Sequence, residues 1–489
     1  MIYSSSVKSR DGDDIPLFLN QHPAHSKYNP GLQAENFVKN LKQGFTVIGG
    51  IAGGFHIKEA VNKFPESFFI CVEADLQSLE FCRNLKINCE LEKKQNVVFT
   101  SKENLEEKIL SLYNPSFYDD FLLEFESIWK NENSNEAQEI YKITQNALKK
   151  IKADYSVQAH FGKLWNHNIF MNADFFEEIQ VKKLPDFPVE KTCCIISAGP
   201  TLEKDFQLFK EKKDSLFLIS CDTSYQALLQ NGIYPDAVVS TDSQYVSSEH
   251  FYSAHDSSIK KTIFVFDISS PASAVRAVLK KGHDVFFVKS GHPLSSFLFP
   301  DDALTFLNAS GGTVTLSASD FAVKAGFTKL MFPGADFAYS GGKPYVRGTY
   351  LEKKFYSVQN RFSNAETLYS SIMFRTPLEK VKDDFSYTEL MNFPVTTEVL
   401  CTYKQSLGEF IEKNYFKREG NVFVTAKKIR KINEGVFSKA RDLKEMLLKN
   451  PVKEKQVFLP FIAWLKNRFR KKSFDELCSI AYSMSRRYN

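Results

Sequence analysis

The sequence predicts an α/β protein with two Rossmann-like α/β units, a small N-terminal one and a larger central nucleotide-binding one. A helical linker and a helical C-terminal region complete the prediction. Short apolar runs of strand length alternate with helical patterns in two separate stretches of the chain. A turn of small residues follows the first buried strand of each stretch. At 489 residues the chain is also too long for one ordinary hydrophobic core.

The N-terminal unit is predicted over residues 1–115. Prolines and glycines make residues 1–35 look irregular. The elements that follow are three strands and a helix: Phe45–Ile48, Ile57–Phe64, Ser67–Val72 and Val97–Thr100. Such a series is typical of a small parallel sheet covered by helices.

A helical linker is predicted over residues 116–185, where apolar and aromatic side chains recur at helical spacing. We place its end at Pro185-Asp186-Phe187-Pro188, because two prolines this close interrupt both helix and sheet. Residues 351–489 show only helical patterns and short loops, and they form the predicted C-terminal region.

The central unit is predicted over residues 186–350. Its strands are six apolar runs: Cys193–Ser197, Leu216–Ser220, Ala237–Ser240, Thr262–Asp267, Asp284–Val288 and Lys329–Pro333. The helix Val314–Lys324 is closed by Gly326, as suits the residue just past a helix end. Ligands bind open α/β sheets at the carboxyl ends of the strands, so the functional residues are sought there.

The turn after the first central strand carries the strongest local signal. Ala198 leaves no bulk beside the backbone, and the missing N–H of a proline costs nothing in a first helical turn. The free N–H groups of that turn then face the ligand edge, where phosphate is stabilised. The predicted nucleotide-binding residues are Ser197, Gly199, Pro200 and Thr201. A plain strand–helix connection is the alternative, because no Walker sequence follows.

A second turn of this kind leads into the helix Val314–Lys324. Backbone N–H groups and hydroxyls there would form another anion cradle. Its predicted nucleotide-binding residues are Ser310, Gly311, Gly312 and Thr313. The alternative is that Thr313 only caps the helix while the glycines shape the turn.

Two further strands end in acidic and hydroxyl residues. Asp222 and Thr223 follow Leu216–Ser220, and Asp242 follows Ala237–Ser240. The carboxyl ends of parallel strands share one edge, so these side chains are expected beside the two turns. Asp222 and Thr223 are predicted to contact the nucleotide, and Asp242 is also a candidate catalytic residue.

The last central strand ends at Gly334-Ala335-Asp336. Gly334 is predicted to lie in the nucleotide site. Asp336 is a candidate catalytic residue, because a carboxylate at this position needs a ligand hydroxyl, a metal or an N–H as partner. The loop that follows offers Lys343 as an anion clamp and Tyr339 as a group that stacks on or protonates a substrate. An ordinary solvated loop is the alternative.

The glycine-rich turn of the N-terminal unit, Gly49–Gly54, follows a strand and precedes a helix, and Glu73 ends the next strand. This context suits a nucleotide or S-adenosylmethionine, with Glu73 on a ribose. Ile51 stands where the second glycine of G-x-G-x-x-G should be. The alternative is that the glycines only permit close packing.

These central motifs resemble the bacterial motility-associated factor (Maf) family, whose central domain is shared with an archaeal hydroxymethyl-dihydropterin diphosphokinase (MptE-like). The residues that carry the resemblance are Ser197–Leu202, Asp222-Thr223, Gly232–Asp236, Thr241-Asp242, Gly311–Thr313 and Gly334–Ser340. His25–Pro30 and Gly49–Gly54 are similar to the N-terminal domain of that family. The central part also looks like the CMP-binding half of bacterial sialyltransferases.

The resemblance implies a transferase that moves a nonulosonic (sialic-acid-like) sugar from a CMP-activated donor to Ser or Thr of a protein such as flagellin. Such a transferase is expected to require no cofactor. The helical region from about residue 400 would then dock the acceptor protein. The archaeal relatives imply an alternative, an ATP-dependent diphosphokinase acting on a hydroxymethyl-pterin, for which Mg²⁺ would be needed. A non-catalytic nucleotide-binding module is a third interpretation.

The catalytic base stays open at this point. The sialyltransferases place a histidine after their Gly-x-Asp strand, and no histidine follows Asp336 here. His292, just past the strand Asp284–Val288, is the histidine candidate, beside the carboxylates Asp242 and Asp336.

A metal site is not predicted. The only D-x-D, Asp11–Asp13, lies in an irregular stretch, which disfavours a metal-dependent glycosyltransferase of that type. If the diphosphokinase interpretation holds, Mg²⁺ would be bound by convergent aspartates. The aspartates in question are Asp222, Asp236, Asp242 and Asp336.

Composition narrows the partners and the compartment. The eight cysteines show no C-x-x-C spacing, so we expect reduced thiols and no zinc. From Tyr403 onward 21 Lys and Arg stand against 9 Asp and Glu. We interpret this basic segment as a solvated helical face and expect no nucleic-acid partner. No run approaches the about 18 apolar residues of a transmembrane helix, and the polar start is not a signal peptide, so we expect a cytoplasmic protein.

Overall fold

The computed structural model describes residues 1–174, 176–179, 184, 186–300, 303–380, 395–428, 432, 439–449 and 454–488. The chain forms two units. The first comprises Met1–Gly162 and Ile462–Leu477, and the second comprises Lys163–Phe461 and Cys478–Asn489. Within the described ranges, no helix combines the length and the apolar character needed to cross a bilayer.

The strands are β1 (Tyr3–Lys8), β2 (Asp14–Phe18), β3 (Phe45–Gly49), β4 (Phe68–Glu73), β5 (Val97–Ser101), β6 (Phe121–Phe125), β7 (Thr192–Ile196), β8 (Leu216–Cys221), β9 (Ala237–Ser240), β10 (Ile263–Asp267), β11 (Asp284–Lys289), β12 (Thr305–Phe306), β13 (Lys329–Met331), β14 (Glu379–Lys380), β15 (Val395–Thr396), β16 (Lys417–Glu419) and β17 (Val422–Val424).

The helices are α1 (Pro30–Phe37), α2 (Phe55–Lys63), α3 (Leu76–Arg83), α4 (Lys86–Leu91), α5 (Leu105–Leu112), α6 (Ser127–Glu132), α7 (Ser134–Ala173), α8 (Phe176–Ile179), α9 (Phe206–Glu211), α10 (Asp222–Gln230), α11 (Ala272–Leu279), α12 (Pro293–Leu298), α13 (Val314–Ala325), α14 (Tyr350–Val358), α15 (Ala365–Met373), α16 (Glu398–Lys413), α17 (Ala440–Lys449), α18 (Leu459–Arg468) and α19 (Phe474–Ser485).

The first unit is built on a four-stranded parallel sheet in the order β5-β4-β3-β6. Its strands are apolar because helices cover the sheet, and Phe45, Val47 and Ile70 are fully buried in the core. The three strands predicted for this unit are confirmed. Two predictions for this unit are wrong, namely that its start is irregular and that the linker is purely helical.

Residues 1–35, predicted to be irregular, contain the antiparallel hairpin β1–β2 and the helix α1. The prolines do not prevent this, because Pro30 occupies the first turn of α1, where no N–H is needed. The predicted helical linker contains a strand, β6, which pairs in parallel with β3. Its run of apolar residues suits helix and strand alike, and pairing with β3 decides between them.

The second unit has a nine-stranded sheet in the order β12-β11-β10-β9-β8-β7-β13-β17-β16. Strands β7 to β13 are parallel, whereas β17 and β16 extend the sheet in antiparallel orientation. Cys193 and Ile195 face one buried cluster with Phe321 of α13, and Cys194 and Ile196 face another. The sheet is therefore buried on both faces, as in a doubly wound fold, and the α/β prediction is confirmed.

Strands β12 and β17 were not predicted, because runs of two and three residues give no periodicity to recognise. β17 corrects the prediction of a purely helical C-terminal region, since Phe423 pairs with Leu330 of β13. The helix predicted at Val314–Lys324 is α13, and Gly326 closes it with a left-handed φ of +102°. Pro185 of the predicted boundary lies outside the described residues.

Candidate functional site

The ends of β7 and β13 meet at the point where the strand order of the second sheet reverses. The N–H of Gly199 donates to the carbonyl of Gly334 at 2.8 Å, and the N–H of Ser197 donates to that of Pro333 at 2.9 Å. A Cβ on Gly199 would lie 2.4 Å from the Gly334 oxygen. The glycine is therefore needed for this close approach of two backbones.

Asp336 holds the turn after β7. Its Oδ2 accepts a hydrogen bond from the N–H of Thr201 at 2.8 Å, and its Oδ1 accepts another from the Thr201 hydroxyl. Pro200 begins the short 3₁₀ helix Pro200–Lys204, as the sequence indicates. The expected partner of Asp336 is thus a neighbouring N–H, and its carboxylate fixes the turn.

The second turn reaches the same edge through the start of α13. Thr313 caps the helix, and its hydroxyl accepts from the N–H of Thr315 at 3.3 Å. The Thr315 hydroxyl lies 2.8 Å from that of Ser197. The exposed Ser310 bonds only to Asn308, through its N–H and its hydroxyl. The structure thus brings the two predicted phosphate turns together at the ends of β7 and β8.

Gly312 shapes this turn with a φ of +67°, a conformation that favours glycine. A Cβ there would lie 3.0 Å from Cε1 of Tyr403, a residue of α16. The C-terminal part of the chain therefore supplies an aromatic ring over the turn.

Asp222 begins α10 directly after β8 and is buried. Its Oδ1 accepts from the N–H of Thr223 at 2.7 Å and from the Thr223 hydroxyl at 3.0 Å. Its Oδ2 accepts from the hydroxyl of Ser240 at 2.8 Å. Because three donors hold it, this carboxylate has a fixed orientation.

Asp242 lies one strand further along, after β9, and is half-buried. Its Oδ1 accepts from the N–H of Gln244 at 2.9 Å. Burial raises the pKa of Asp242 from 3.8 to about 6, the charge of Asp222 adds to this rise, and the Gln244 bond opposes it. A carboxylate with this pKa can accept a proton near neutral pH.

The charges of these two carboxylates act on three tyrosines, Tyr345, Tyr350 and Tyr403. Burial raises the pKa of Tyr403 and of Tyr350, and the negative charge of Asp242 raises both further. The charge of Asp222 has the same effect on Tyr345 and Tyr350. The hydroxyls of Tyr345, Tyr350 and Tyr403 therefore lie within electrostatic range of the two carboxylates, and we call this group of side chains the pocket.

Tyr345 shows how the pocket is solvated. The residue as a whole is 37% exposed, but burial of its hydroxyl end raises its pKa to about 12. The positive charge of Arg375 acts in the opposite direction on both Tyr345 and Tyr339.

His292 lies apart from these residues, after β11, which β10 separates from β9. Its Nδ1 accepts from the N–H of Leu294 at 3.1 Å, and its ring contacts Trp165 edge-on. Burial lowers its pKa to about 3, so the imidazole is neutral. No described contact joins His292 to the pocket.

His250 is a pocket residue that sequence reasoning missed. It is buried in a short helix after β9, and its ring meets that of Tyr350 at 4.5 Å and 87°. Burial lowers its pKa, and the nearby charge of Asp222 opposes that effect. Its distance of ten residues from the end of β9 gave no signal in the sequence.

The aspartates considered for Mg²⁺ do not converge. Asp236 precedes β9, at the amino end of the strand, where it pairs with Lys260 at 2.7 Å. Asp336 accepts hydrogen bonds from Thr201. Among these four aspartates, only Asp222 and Asp242 therefore lie close together. In the described ranges, no three His, Cys, Asp or Glu side chains cluster as metal ligands would.

The glycine-rich turn of the first unit is filled by the protein itself. A Cβ on Gly49 would lie 2.3 Å from the ring of Phe125, and one on Gly50 would lie 2.5 Å from that of Trp129. Gly54 faces Asn88 in the same way, at 2.0 Å. The close-packing interpretation of Gly49–Gly54 therefore fits the structure.

Glu73, expected on a ribose, is fully buried among protein donors. It accepts hydrogen bonds from Trp129 Nε1 at 2.7 Å, from the N–H of Ile51 at 3.1 Å and from the hydroxyl of Tyr3 at 3.1 Å. Burial raises its pKa, and these bonds oppose the rise. Glu73 thus ties the turn to the rest of the first unit.

A known protein family matches part of the second unit. The family model described as 6-hydroxymethylpterin diphosphokinase MptE-like matches residues 167–342. An uncharacterized protein of Treponema pallidum (strain Nichols) is 34% identical over 146 residues, which are 30% of this chain and 69% of that protein. A second one from the same organism is 37% identical over 145 residues, 30% of this chain and 50% of that protein.

A solved structure is similar over almost the whole chain. It is that of the Maf glycosyltransferase from Magnetospirillum magneticum AMB-1, with a TM-score of 0.52 and 12% sequence identity. The match covers 99% of this chain and 87% of that one. At this identity the likeness concerns the fold.

Proposed function

We propose that this chain, which carries an MptE-like domain and has the fold of a Maf glycosyltransferase, is itself a Maf-like glycosyltransferase. It transfers a nonulosonic sugar from a CMP-activated donor to a serine or threonine hydroxyl of a protein such as flagellin. One observation carries the proposal. The turns of β7 and α13 meet through Ser197 and Thr315, beside Asp222 and Asp242.

The turn before α13 suits the phosphate of CMP. Backbone N–H groups at the start of a helix stabilise negative charge, and Gly312 lies in this turn with a φ of +67°. That charge grows on the phosphate as the bond to the sugar breaks, so the same groups favour the departure of CMP. The turn after β7 supports this site from the side, because the N–H groups of Ser197, Gly199 and Thr201 are bonded to Pro333, Gly334 and Asp336.

The carboxylates suit the nucleoside and the acceptor. Asp222, fixed by its three donors, has lone pairs left for ribose hydroxyls. Asp242 has a pKa of about 6, so it suits the proton of the acceptor hydroxyl. In this step the acceptor oxygen bonds to the anomeric carbon, its proton moves to Asp242, and CMP leaves with the electron pair of the broken bond.

A diphosphokinase is the second candidate, because the description of the matched family model names that activity. Transfer from ATP would place a triphosphate beside Asp222 and Asp242, and Mg²⁺ would have to offset the repulsion. CMP has a single phosphate and therefore less charge to neutralise, and the N–H groups at the start of α13 can bind it without a metal. The contacts therefore favour the transferase.

Ligand-induced stabilisation of the full chain separates the candidates. A ligand present at a hundred times its Kd stabilises the protein by about 2.7 kcal/mol, which raises the unfolding midpoint. We expect CMP alone to do so. A response only to ATP with Mg²⁺ would favour the diphosphokinase, and no response to either would favour a non-catalytic protein.

A matched pair of variants checks that binding occurs in this pocket. Tyr350→Phe removes only a hydroxyl on whose pKa both carboxylates act, and we expect about tenfold weaker CMP binding, the effect of one lost hydrogen bond. Tyr252→Phe alters an exposed tyrosine of the same unit and should leave affinity unchanged. Equal affinities in both variants would place the nucleotide elsewhere.

A further inference from the structure

A short stretch of the C-terminal region carries a concentrated positive charge. Of the seven residues 466–472, five are Lys or Arg and none is Asp or Glu. The stretch belongs to the first unit and contains the end of α18 and the turn that leads into α19. We call it the basic turn. The sequence predicts a helical face for this charge, whereas the structure places residues 469–472 outside both helices.

Hydrogen bonds fix the backbone of the basic turn at both ends. The N–H of Phe469 donates to the carbonyl of Leu465 at 2.9 Å, and the N–H of Lys472 donates to the carbonyl of Phe469 at 3.0 Å. Ser473 and Glu476 then form a capping box at the start of α19, with bonds of 2.8 and 3.3 Å. The turn therefore has a defined shape.

The base of the basic turn is anchored within the first unit. Nζ of Lys466 donates to the carbonyl of Pro115 at 2.6 Å and lies 2.7 Å from Oδ1 of Asp119. On the α19 side, the ring of Phe474 lies 4.5 Å from that of Phe117. These contacts hold the two helices beside the turn, and they leave the residues between them at the surface.

Most of the charge of the basic turn is not neutralised by the protein. Besides Lys466, one further cation is paired, since Nζ of Lys472 lies 3.0 Å from Oε1 of Glu476. The other three cations are exposed, and in the part of the chain that the structure describes they form no ion pair. These three are Arg468, Arg470 and Lys471.

An aromatic side chain lies in the middle of these cations. Phe469 stands between Arg468 and Arg470 and is 42% exposed. A lipid bilayer surface accommodates this combination, because the ring enters the headgroup layer while the cations meet the lipid phosphates. A turn between two helices also presents its side chains to a flat surface, whereas an acidic peptide is usually held in a groove or along a strand edge.

We propose that the basic turn docks the protein on an anionic membrane surface. Phe469 inserts among the headgroups, and Arg468, Arg470 and Lys471 contact the phosphates of anionic lipids. The contact is peripheral, and it is independent of the reaction assigned to the second unit.

Co-sedimentation of the full chain with lipid vesicles tests the proposal. We expect binding to phosphatidylcholine vesicles that contain about one-third phosphatidylglycerol, weaker binding at higher salt, and no binding to phosphatidylcholine alone. Reversing Arg470 and Lys471 together to Glu should weaken binding by roughly thirtyfold or more, since each cation near an anionic surface contributes about fivefold. Phe469→Ser should weaken it by roughly tenfold, through the apolar area no longer buried.

Two control variants match these changes. Reversing Lys93 and Lys94 to Glu alters the charge of the first unit equally, at two exposed positions, and should leave vesicle binding unchanged. Phe362→Ser removes a ring that is 95% exposed and has a single cation, Arg361, beside it, and should also change nothing.

Four results would overturn the proposal. The wild type might leave anionic vesicles in the supernatant unbound, or bind neutral and anionic vesicles equally. The reversal of Lys93 and Lys94 could weaken binding as much as that of Arg470 and Lys471, which would mean that only net charge matters. Binding of polyglutamate without binding of vesicles would identify an acidic protein as the partner of the basic turn.

Discussion

Asp242→Asn is the most informative substitution in the pocket, because it should lower activity and raise stability at once. The carboxylate is half-buried, close to the charge of Asp222, and has one hydrogen bond from Gln244. Burial and that neighbouring charge raise its pKa from 3.8 to about 6. Holding it ionised at neutral pH therefore costs free energy.

The size and sign of the stability change follow from this pKa. The native state binds the proton more tightly than the unfolded state, so stability falls as pH rises from about 4 through 6. A shift of about two units at 1.36 kcal/mol each corresponds to about 3 kcal/mol at pH 7, an upper value since the group is partly solvated. The neutral variant should be about 1–3 kcal/mol more stable at pH 7 and show no gain at pH 4.

The stability gain is measured as the thermal midpoint of the full chain by scanning calorimetry. Each kcal/mol corresponds to about 2–4 °C for a domain of 150–250 residues. Activity is measured as kcat/KM for transfer from a CMP-linked nonulosonate to the acceptor protein. Wild-type kcat/KM should rise with pH and level off above about 6. The variant should lose this acid limb and fall by about 10² to 10⁴, the usual contribution of a positioned base.

Two control variants sharpen the test. Asp256→Asn removes an exposed carboxylate that accepts a hydrogen bond from Ser258, so it should give no stability gain. Asp336→Asn disturbs the carboxylate that holds Thr201 and should weaken donor binding while keeping the acid limb. A gain for Asp242→Asn that persists at pH 4 would refute the electrostatic reasoning. An unchanged acid limb would assign the base to another group.

The remaining predictions concern one glycine and one tryptophan. Gly199→Ala would place a Cβ 2.4 Å from the Gly334 backbone oxygen, so we expect a loss of about 1–3 kcal/mol in unfolding free energy and weaker CMP binding. Gly291→Ala, which meets nothing within 4 Å, is its control, and equal midpoints for the two would contradict the close approach. Trp129→Phe removes the 2.7 Å bond to Glu73 and should destabilise the first unit by about 2–4 kcal/mol, seen as a lower midpoint, with CMP affinity retained. Lost CMP affinity in this variant would mean that the first unit takes part in nucleotide binding.

Local sequence signals were sufficient for most of the fold and for part of the site. The central strands of both sheets were recognised because a strand buried on both faces is a continuous apolar run, as in Ala237–Ser240. The contact between the two turns, made by Ser197 and Thr315, agrees with the rule that the carboxyl ends of parallel strands share an edge. Short strands such as β17 were not predicted, because three residues carry no periodicity and only their pairing defines them as a strand.

The rest of the pocket could not be predicted, because it depends on contacts distant in sequence. Tyr403 reaches the α13 turn from a helix about ninety residues later, and the ring of His250 meets that of Tyr350 across a hundred residues of sequence. No local pattern signals such contacts. The same holds for Lys343, which was predicted to bind an anion. It forms an ion pair with Glu203 at 3.5 Å, and Glu203 is far from it in the sequence.

The two glycine-rich turns of the chain show why such a motif is decided by its neighbours. In the first unit, the space beside Gly49 and Gly50 is taken by Phe125 and Trp129, and the acidic residue that follows is bonded to the turn itself. In the second unit, a Cβ on Gly312 would meet only the edge of Tyr403, whereas one on Gly311 would lie 2.6 Å from Leu316 and 2.9 Å from Ser406. The first turn therefore uses Gly49 and Gly50 to admit side chains, and the second turn is filled at Gly311 but not at Gly312. Filling of the turn, rather than its sequence, decides where backbone is left for an anion, and for this reason our proposal puts the phosphate at the turn before α13.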